Sequence, residues 1–201
     1  MSLILSGTNG ITFPDAVGGA MDGADLLTGW QFVSITSITA ANNLNITGLA
    51  AGYDYQIILE NFDVATDSCD LYFRISDDGG SNYEADAADY DYFTDQANTG
   101  NSSTGAAQIQ MNSTGRGIAN DAGSTSYMAV TMVNPGGTGF FHQILYEGMI
   151  TDESATPQLE SVRGAGRSKG GTAAIDACQF ILSTGNFVAQ GSILIYRRAR
   201  S

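Results

Sequence analysis

Positive charge is scarce in this sequence: eight Lys and Arg stand against 21 Asp and Glu, giving a formal net charge of −13. Gripping a nucleic-acid backbone requires clustered basic side chains, so the body of the protein is not expected to bind nucleic acid. Long apolar runs are missing as well. None approaches the roughly 20 residues that cross a bilayer, and the opening MSLILSGTNG lacks the basic region and sustained apolar run of a secretory leader, so a soluble, unprocessed chain without a membrane partner is expected. There is one histidine, His142, inside the alternating segment FFHQILYEGMI. No metal cage, Cys–His pair or Ser–His–Asp set is specified around it, and a structural role is expected. Cysteine is limited to Cys69 and Cys178, far apart and without a CxxC pattern. Strand alternation places Cys69 with Leu71, Phe73 and Ile75, and Cys178 with Phe180 and Leu182. Both read as buried free thiols, with a disulfide between them as the alternative.

What the chain has in abundance is period-two alternation, with no convincing three-to-four-residue apolar period anywhere. Strands are predicted at 30–36, 43–49, 54–61, 69–76, 107–112, 126–134, 140–150, 174–183 and 191–198, with a weaker one at 157–164. The separating turns AAGY, DDGG, NPGG and STGN supply Gly or Asn where φ must become positive. This pattern predicts an all-β fold: an antiparallel two-sheet sandwich, jelly-roll-like, with an immunoglobulin-like sandwich as the alternative. The segments TDQANTGNSSTGAA (94–107) and STGRGIANDAGSTS (113–126) read as exposed loops. Residues 1–29 differ, with two short apolar runs followed by a Gly/Ala/Asp-rich stretch. They read as an extended N-terminal arm ahead of a sandwich at 30–201, with Leu3, Ile4, Leu5, Ile11 and Phe13 as the residues that dock on a partner. A strand added to the chain's own sandwich is the alternative.

The stretch ISDDGGSNYEADAADYDYF (75–93) concentrates acid. It has no EF-hand register. Its first half reads as a Gly-bearing hairpin turn with a second short strand led by Tyr83. In the second half, Asp86, Asp89 and Asp91 are the candidates for an all-oxygen calcium site, against the simpler reading of a solvated loop; no other cofactor is expected. Tyr83, Tyr90 and Tyr92 are candidates for contact with a glycan or partner protein, while packing of Tyr92 and Phe93 under the loop competes with that. Six of the eight basic residues, Arg163, Arg167, Lys169, Arg197, Arg198 and Arg200, lie in the last 39 positions. The RGAGRSKGG loop and RRARS tail therefore form a candidate basic interface for an acidic neighbouring subunit. Nothing selects two carboxylates as a glycosidase pair.

Two resemblances add to this. Ser76, Asp78, Gly80, Asn82 and Tyr83 resemble the Asp-box pattern S-x-D-x-G-x-[TN]-[WY], which implies a hairpin-stabilising role. MSLILSGTNGITFPD resembles the short opening of tailed-bacteriophage tail-fibre and related virion proteins. The segments YDYQIILENFDVATDSCDLYFRISDDGGSNYE and CQFILSTGNFVAQGSILIY are similar to a β-sandwich module of phage structural proteins. Together these segments cover about a third of the chain, which departs from fibre proteins in passing directly from the opening to one sandwich and in ending on the charged YRRARS. The resemblance implies a non-enzymatic virion component, tail-associated or a capsid decoration, made in the bacterial host cytoplasm. Its expected partners are capsid or tail subunits and further copies of itself, most readily as a trimer, with a host-surface glycan as a further ligand. A carbohydrate-binding sandwich and a small glycan-active enzyme are the competing readings.

Overall fold

The computed structural model describes residues 4–6, 10–12, 29–97, 99–121, 123–153 and 158–200. Alternating apolar residues build two antiparallel sheets, and no helix occurs among the described residues. The strands are β1 (Ile4–Ser6), β2 (Gly10–Thr12), β3 (Gln31–Ser37), β4 (Asn43–Thr47), β5 (Tyr53–Phe62), β6 (Leu71–Ser76), β7 (Tyr90–Gln96), β8 (Thr99–Ala106), β9 (Ile109–Gln110), β10 (Ser126–Val133), β11 (Gln143–Thr151), β12 (Leu159–Ser168), β13 (Ala177–Leu182) and β14 (Ser192–Ala199). Eight form the large sheet in the order β3-β14-β5-β10-β11-β12-β7-β8, and four form the small one, β4-β13-β6-β9. Among the described residues, β1 and β2 pair only with each other, in the register Ile4↔Thr12, Leu5↔Ile11 and Ser6↔Gly10. The expected arm thus contains a short hairpin. Leu3 and Phe13, two of its proposed docking residues, lie outside the described residues.

The core lies between the sheets because each strand sends every second side chain inward. Tyr55, Ile57 and Leu59 of β5, Met128, Val130 and Met132 of β10, and Ile144, Tyr146 and Ile150 of β11 are buried from the large sheet. They meet Leu44, Ile46, Leu71, Phe73, Ile75 and Phe180 from the small sheet. Phe73 and Phe180 pack edge to face with centroids 5.2 Å apart. Cys69 and Cys178 are free and fully buried, as their alternation requires. Two glycines of β12 allow its close approach to the core: a Cβ at Gly164 would collide with the Tyr146 ring, and one at Gly166 would lie 2.5 Å from Ile109 Cδ1.

Four expectations are corrected. Residues 90–106, read partly as solvated loop, form β7 and β8, because β7 finds a full partner in β12 from Val162↔Gln96 to Ser168↔Tyr90. The weak 157–164 segment is a ten-residue strand between β11 and β7, so RGAGRSKGG is largely strand and not loop. The loop 113–126 does have an apolar anchor, since Ile118 is buried and bridges both Cys69 and Asp152. Finally, the strand expected to open the core at Trp30 is an edge strand with five of its seven residues exposed.

Candidate interaction surface

The basic residues of the C-terminal third are used within the chain. On the outer face of the large sheet, Arg163 meets Asp95 at 3.0 Å across the β12–β7 ladder, and Arg167 meets Asp91 at 2.7 Å. Lys169 reaches the other oxygen of Asp91 at 2.5 Å and donates to the Thr104 carbonyl at 3.1 Å. The Lys169 ammonium, assisted by Arg167, holds the Asp91 carboxyl below its usual value. In the C-terminal tail, Arg198 and Arg200 converge on Asp54 at 2.6 and 2.5 Å, Arg198 also lies 5.1 Å over the Trp30 ring, and Arg197 stacks 4.3 Å over Tyr53. A run of basic residues drawn from two strands has become a set of cross-strand clamps.

The acidic stretch divides as its sequence suggests, though not with the expected exposures. Asp78 accepts the Asn82 backbone amide at 2.8 Å, the Asn82 side-chain amide at 2.6 Å and the Ser76 hydroxyl at 2.8 Å. These donors, the Asn82 amide foremost, pull its carboxyl down to about 2. Gly79 and Gly80 supply the positive φ angles of 75° and 83° that the turn requires. The second short strand led by Tyr83 does not form: one backbone bond, from the Glu84 N–H to the Ile75 carbonyl, closes the turn. Tyr90 is fully buried; its hydroxyl accepts the Ile75 amide at 3.0 Å and donates to the Glu84 carbonyl at 3.2 Å, which removes it as a surface contact. Tyr83 and Tyr92 are half-buried, and Phe93, expected beneath a loop, is 53% exposed. Asp89 accepts the Asp86 backbone amide at 2.6 Å, while Asp91 is committed to Lys169 and Arg167. Among the described residues no group of three or more His, Cys, Asp or Glu is placed to hold a metal ion. His142 is buried, with Nε2 2.7 Å from the Ala173 carbonyl oxygen.

The most unusual surface is one that sequence reasoning assigned to the core. β3 bonds to β14 on one side and ends the large sheet on the other. Phe32 and Ile35 are each 57% exposed, Val33 and Trp30 less so, and Gln31–Ser37 contains no charge and no proline. Phe32 is supported from behind by Tyr196, edge to face at 5.7 Å. The opposite edge, β8, is TGNSSTGA, and the β4 edge turns Asn43, Asn45 and Thr47 outward. Among the described edge strands β3, β4 and β8, β3 is the apolar one. The sequence signal was the neutrality of WQFVSITS, which alternation alone could not distinguish from a core strand. Two grooves also open on the outer sheet face. One, of about 530 Å³, is lined by Asp95, Tyr127, Glu147, Met149 and Arg163. The other, of about 440 Å³, is lined by Tyr92, Ser103, Gln143, Leu145, Ala165 and Arg167.

These features define a protein of the antiparallel two-sheet β-sandwich class. No protein-family model matches the chain and no curated protein matches it. Among solved structures, it is similar to a GH43 glycoside hydrolase engineered to display endo-xylanase and exo-arabinofuranosidase activity, at TM-score 0.35 and 12% identity. That alignment covers 85% of this chain and 36% of the other, so the chain spans about a third of that enzyme's length. The Caenorhabditis elegans galectin LEC-6 aligns at TM-score 0.29 and 11% identity, over 83% of this chain and 96% of its own. A human SPRY domain aligns at TM-score 0.31 and 10% identity, over 84% and 99%. None of these likenesses carries an argument about what this chain does.

Proposed function

We propose that the chain is a non-enzymatic structural component of a bacteriophage virion, a β-sandwich subunit attached through its N-terminal arm and self-associating as a homo-oligomer, most simply a trimer. The observation that carries this reading is the apolar β3 edge on an otherwise strongly acidic protein, because an uncharged, proline-free edge strand is an invitation to pairing that monomeric proteins blunt. The resemblance of MSLILSGTNGITFPD to virion-protein openings supplies the setting, and the two buried thiols suit assembly in a reducing cytoplasm. Purified particles of the source phage should contain the chain by peptide mass spectrometry, and particle density should show its sandwich facing outward on head or tail. A chain found only in the infected-cell lysate would overturn the reading.

A second reading, a carbohydrate-binding sandwich for host-surface glycans, is favoured by the two outer-face grooves, one of them lined by Tyr92, and by the exposed Phe93 on β7, a strand that contributes to the lining of both. Binding on a glycan array that disappears in Phe93→Ala, with melting temperature unchanged, would support it; a blank array would remove it.

A further inference from the structure

Among the described residues, β3 has an unpaired edge and the β1–β2 hairpin joins no larger sheet. Each is incomplete for a physical reason. A two-stranded hairpin with three-residue strands is marginal by itself. The free side of β3 presents a row of backbone N–H and C=O groups between apolar side chains. Extending the proposal that the chain self-assembles, we propose that the β1–β2 hairpin of one copy adds to the β3 edge of a second copy, enlarging its eight-stranded sheet by β-augmentation.

Three observations select this occupant. First, 18 residues separate Thr12 from Gln31, and such a tether spans up to roughly 60 Å when extended, enough to reach a neighbouring sandwich. Second, among the described residues the hairpin pairs only with itself and β3 pairs only with β14. Third, charge selects it. Residues 1–12 carry no charged side chain and neither does β3, whereas the whole chain is at −13. The hairpin and this edge can therefore meet without the like-charge repulsion that two acidic bodies would otherwise feel. The tether itself bears Asp15, Asp22 and Asp25 and no Lys or Arg. It leads to Trp30, beneath Arg198 at the basic end of β14. Donor and acceptor are different surfaces, so the contact is heterologous; where the rotation between successive copies closes it makes a ring, for which three copies are a simple solution.

Mixing full-length variants tests this. Leu5→Asp should disable the donor hairpin and Ile35→Lys the acceptor edge, each weakening association on the order of tenfold or more, as loss of a central apolar anchor does. Sedimentation should show a concentration-dependent oligomer for the wild type and monomer for each variant alone. An equal mixture should recover a dimer and nothing larger, because Ile35→Lys copies still donate hairpins and Leu5→Asp copies still offer edges. Trp30, the sole tryptophan and 38% exposed, should shift its emission to the blue whenever docking occurs. Unchanged melting temperature confirms that the variants fold, and Ile35→Thr, which keeps a β-branched residue, should weaken association less than Ile35→Lys. If Leu5→Asp assembles normally, or the mixture stays monomeric, edge-to-edge pairing of two β3 strands or no docking replaces the proposal. A wild type monomeric at all concentrations also overturns it. Assembly in solution without incorporation into particles would instead overturn the virion reading and leave this contact standing.

Discussion

Replacing Asp54 with Ala should remove the joint that fastens the end of the chain to β5. Asp54 is 3% exposed and lies opposite Arg198 in the β14–β5 register. Its carboxylate accepts Arg198 at 2.6 Å, Arg200 at 2.5 Å and the Asn134 backbone N–H at 2.9 Å. Burial by itself pushes this carboxyl up, but the two guanidiniums and the Asn134 amide outweigh it and hold it below the ordinary 3.8. In the variant both guanidiniums, which are 45% and 39% exposed, can turn to water, so each lost pair costs only about 0.2–1 kcal/mol. The Asn134 amide loses its acceptor in a partly buried site, adding about 1–2 kcal/mol. The total, about 1.5–4 kcal/mol, corresponds to a fall in melting temperature of about 3–16 °C for a chain of this size. The pH dependence follows from the sign of the shift. A carboxyl depressed in the native state stabilises fully above its unfolded value, near 3.8, and that stabilisation is lost as pH falls through the lower native value. Thermal melts followed by circular dichroism should therefore show the largest gap between wild type and variant near neutrality and a closing gap below about pH 4. A gap smaller than about 1 °C at neutrality, or one that widens on acidification, would refute the reasoning.

Tyr90→Phe should destabilise by about 1–2 kcal/mol, because it leaves the buried Ile75 N–H without its acceptor while the ring still fills its site; a urea midpoint equal to the wild type would show that the hydroxyl contributes nothing. Cys69 and Cys178 should both resist a thiol reagent in the native protein at mildly alkaline pH and both react after unfolding, since burial pushes the Cys69 thiol up to about 12 and the Cys178 thiol higher still. Rapid modification of either thiol in the folded state would contradict that burial.

The strands that proved legible in sequence are those with one wet face and one dry face, such as β5, β6 and β10, where Ile57, Phe73 and Val130 recur at every second position. β8 carried no such signal: TGNSSTGA has almost nothing to bury, and it is held at the edge by its backbone ladder with β7. β12 was faint because Gly164 and Gly166 occupy inward positions where alternation would ask for a large apolar residue, and only the nearness of Tyr146 and Ile109 explains them. Tyr90 was misjudged because its acidic neighbours suggested solvent, although it opens a strand whose first side chain points into the core. The β3 surface failed in the opposite sense, since its side chains have the composition of a core strand and only the sheet order reveals that β3 ends the described layer. The basic cluster was read as facing an acidic neighbouring subunit, whereas Arg163, Arg167 and Arg198 pair with Asp95, Asp91 and Asp54 on neighbouring strands of the same chain, far away in sequence.

The order of strands in the two layers also governs when the protein can come into being. β13 lies between β4 and β6, and β14 between β3 and β5, so two strands from the C-terminal part of the described chain are interior to their layers. Until residues 177–199 are available, β4 and β6 have no common neighbour, and β3 is separated from the rest of its layer. Pairing across a hundred or more residues of intervening chain is slow to nucleate, and a nascent chain therefore exposes these apolar faces until residues 177–199 have emerged. A chain stopped shortly before residue 177 would leave β3 and β4 without partners in their layers, with apolar surface exposed to aggregation and proteolysis.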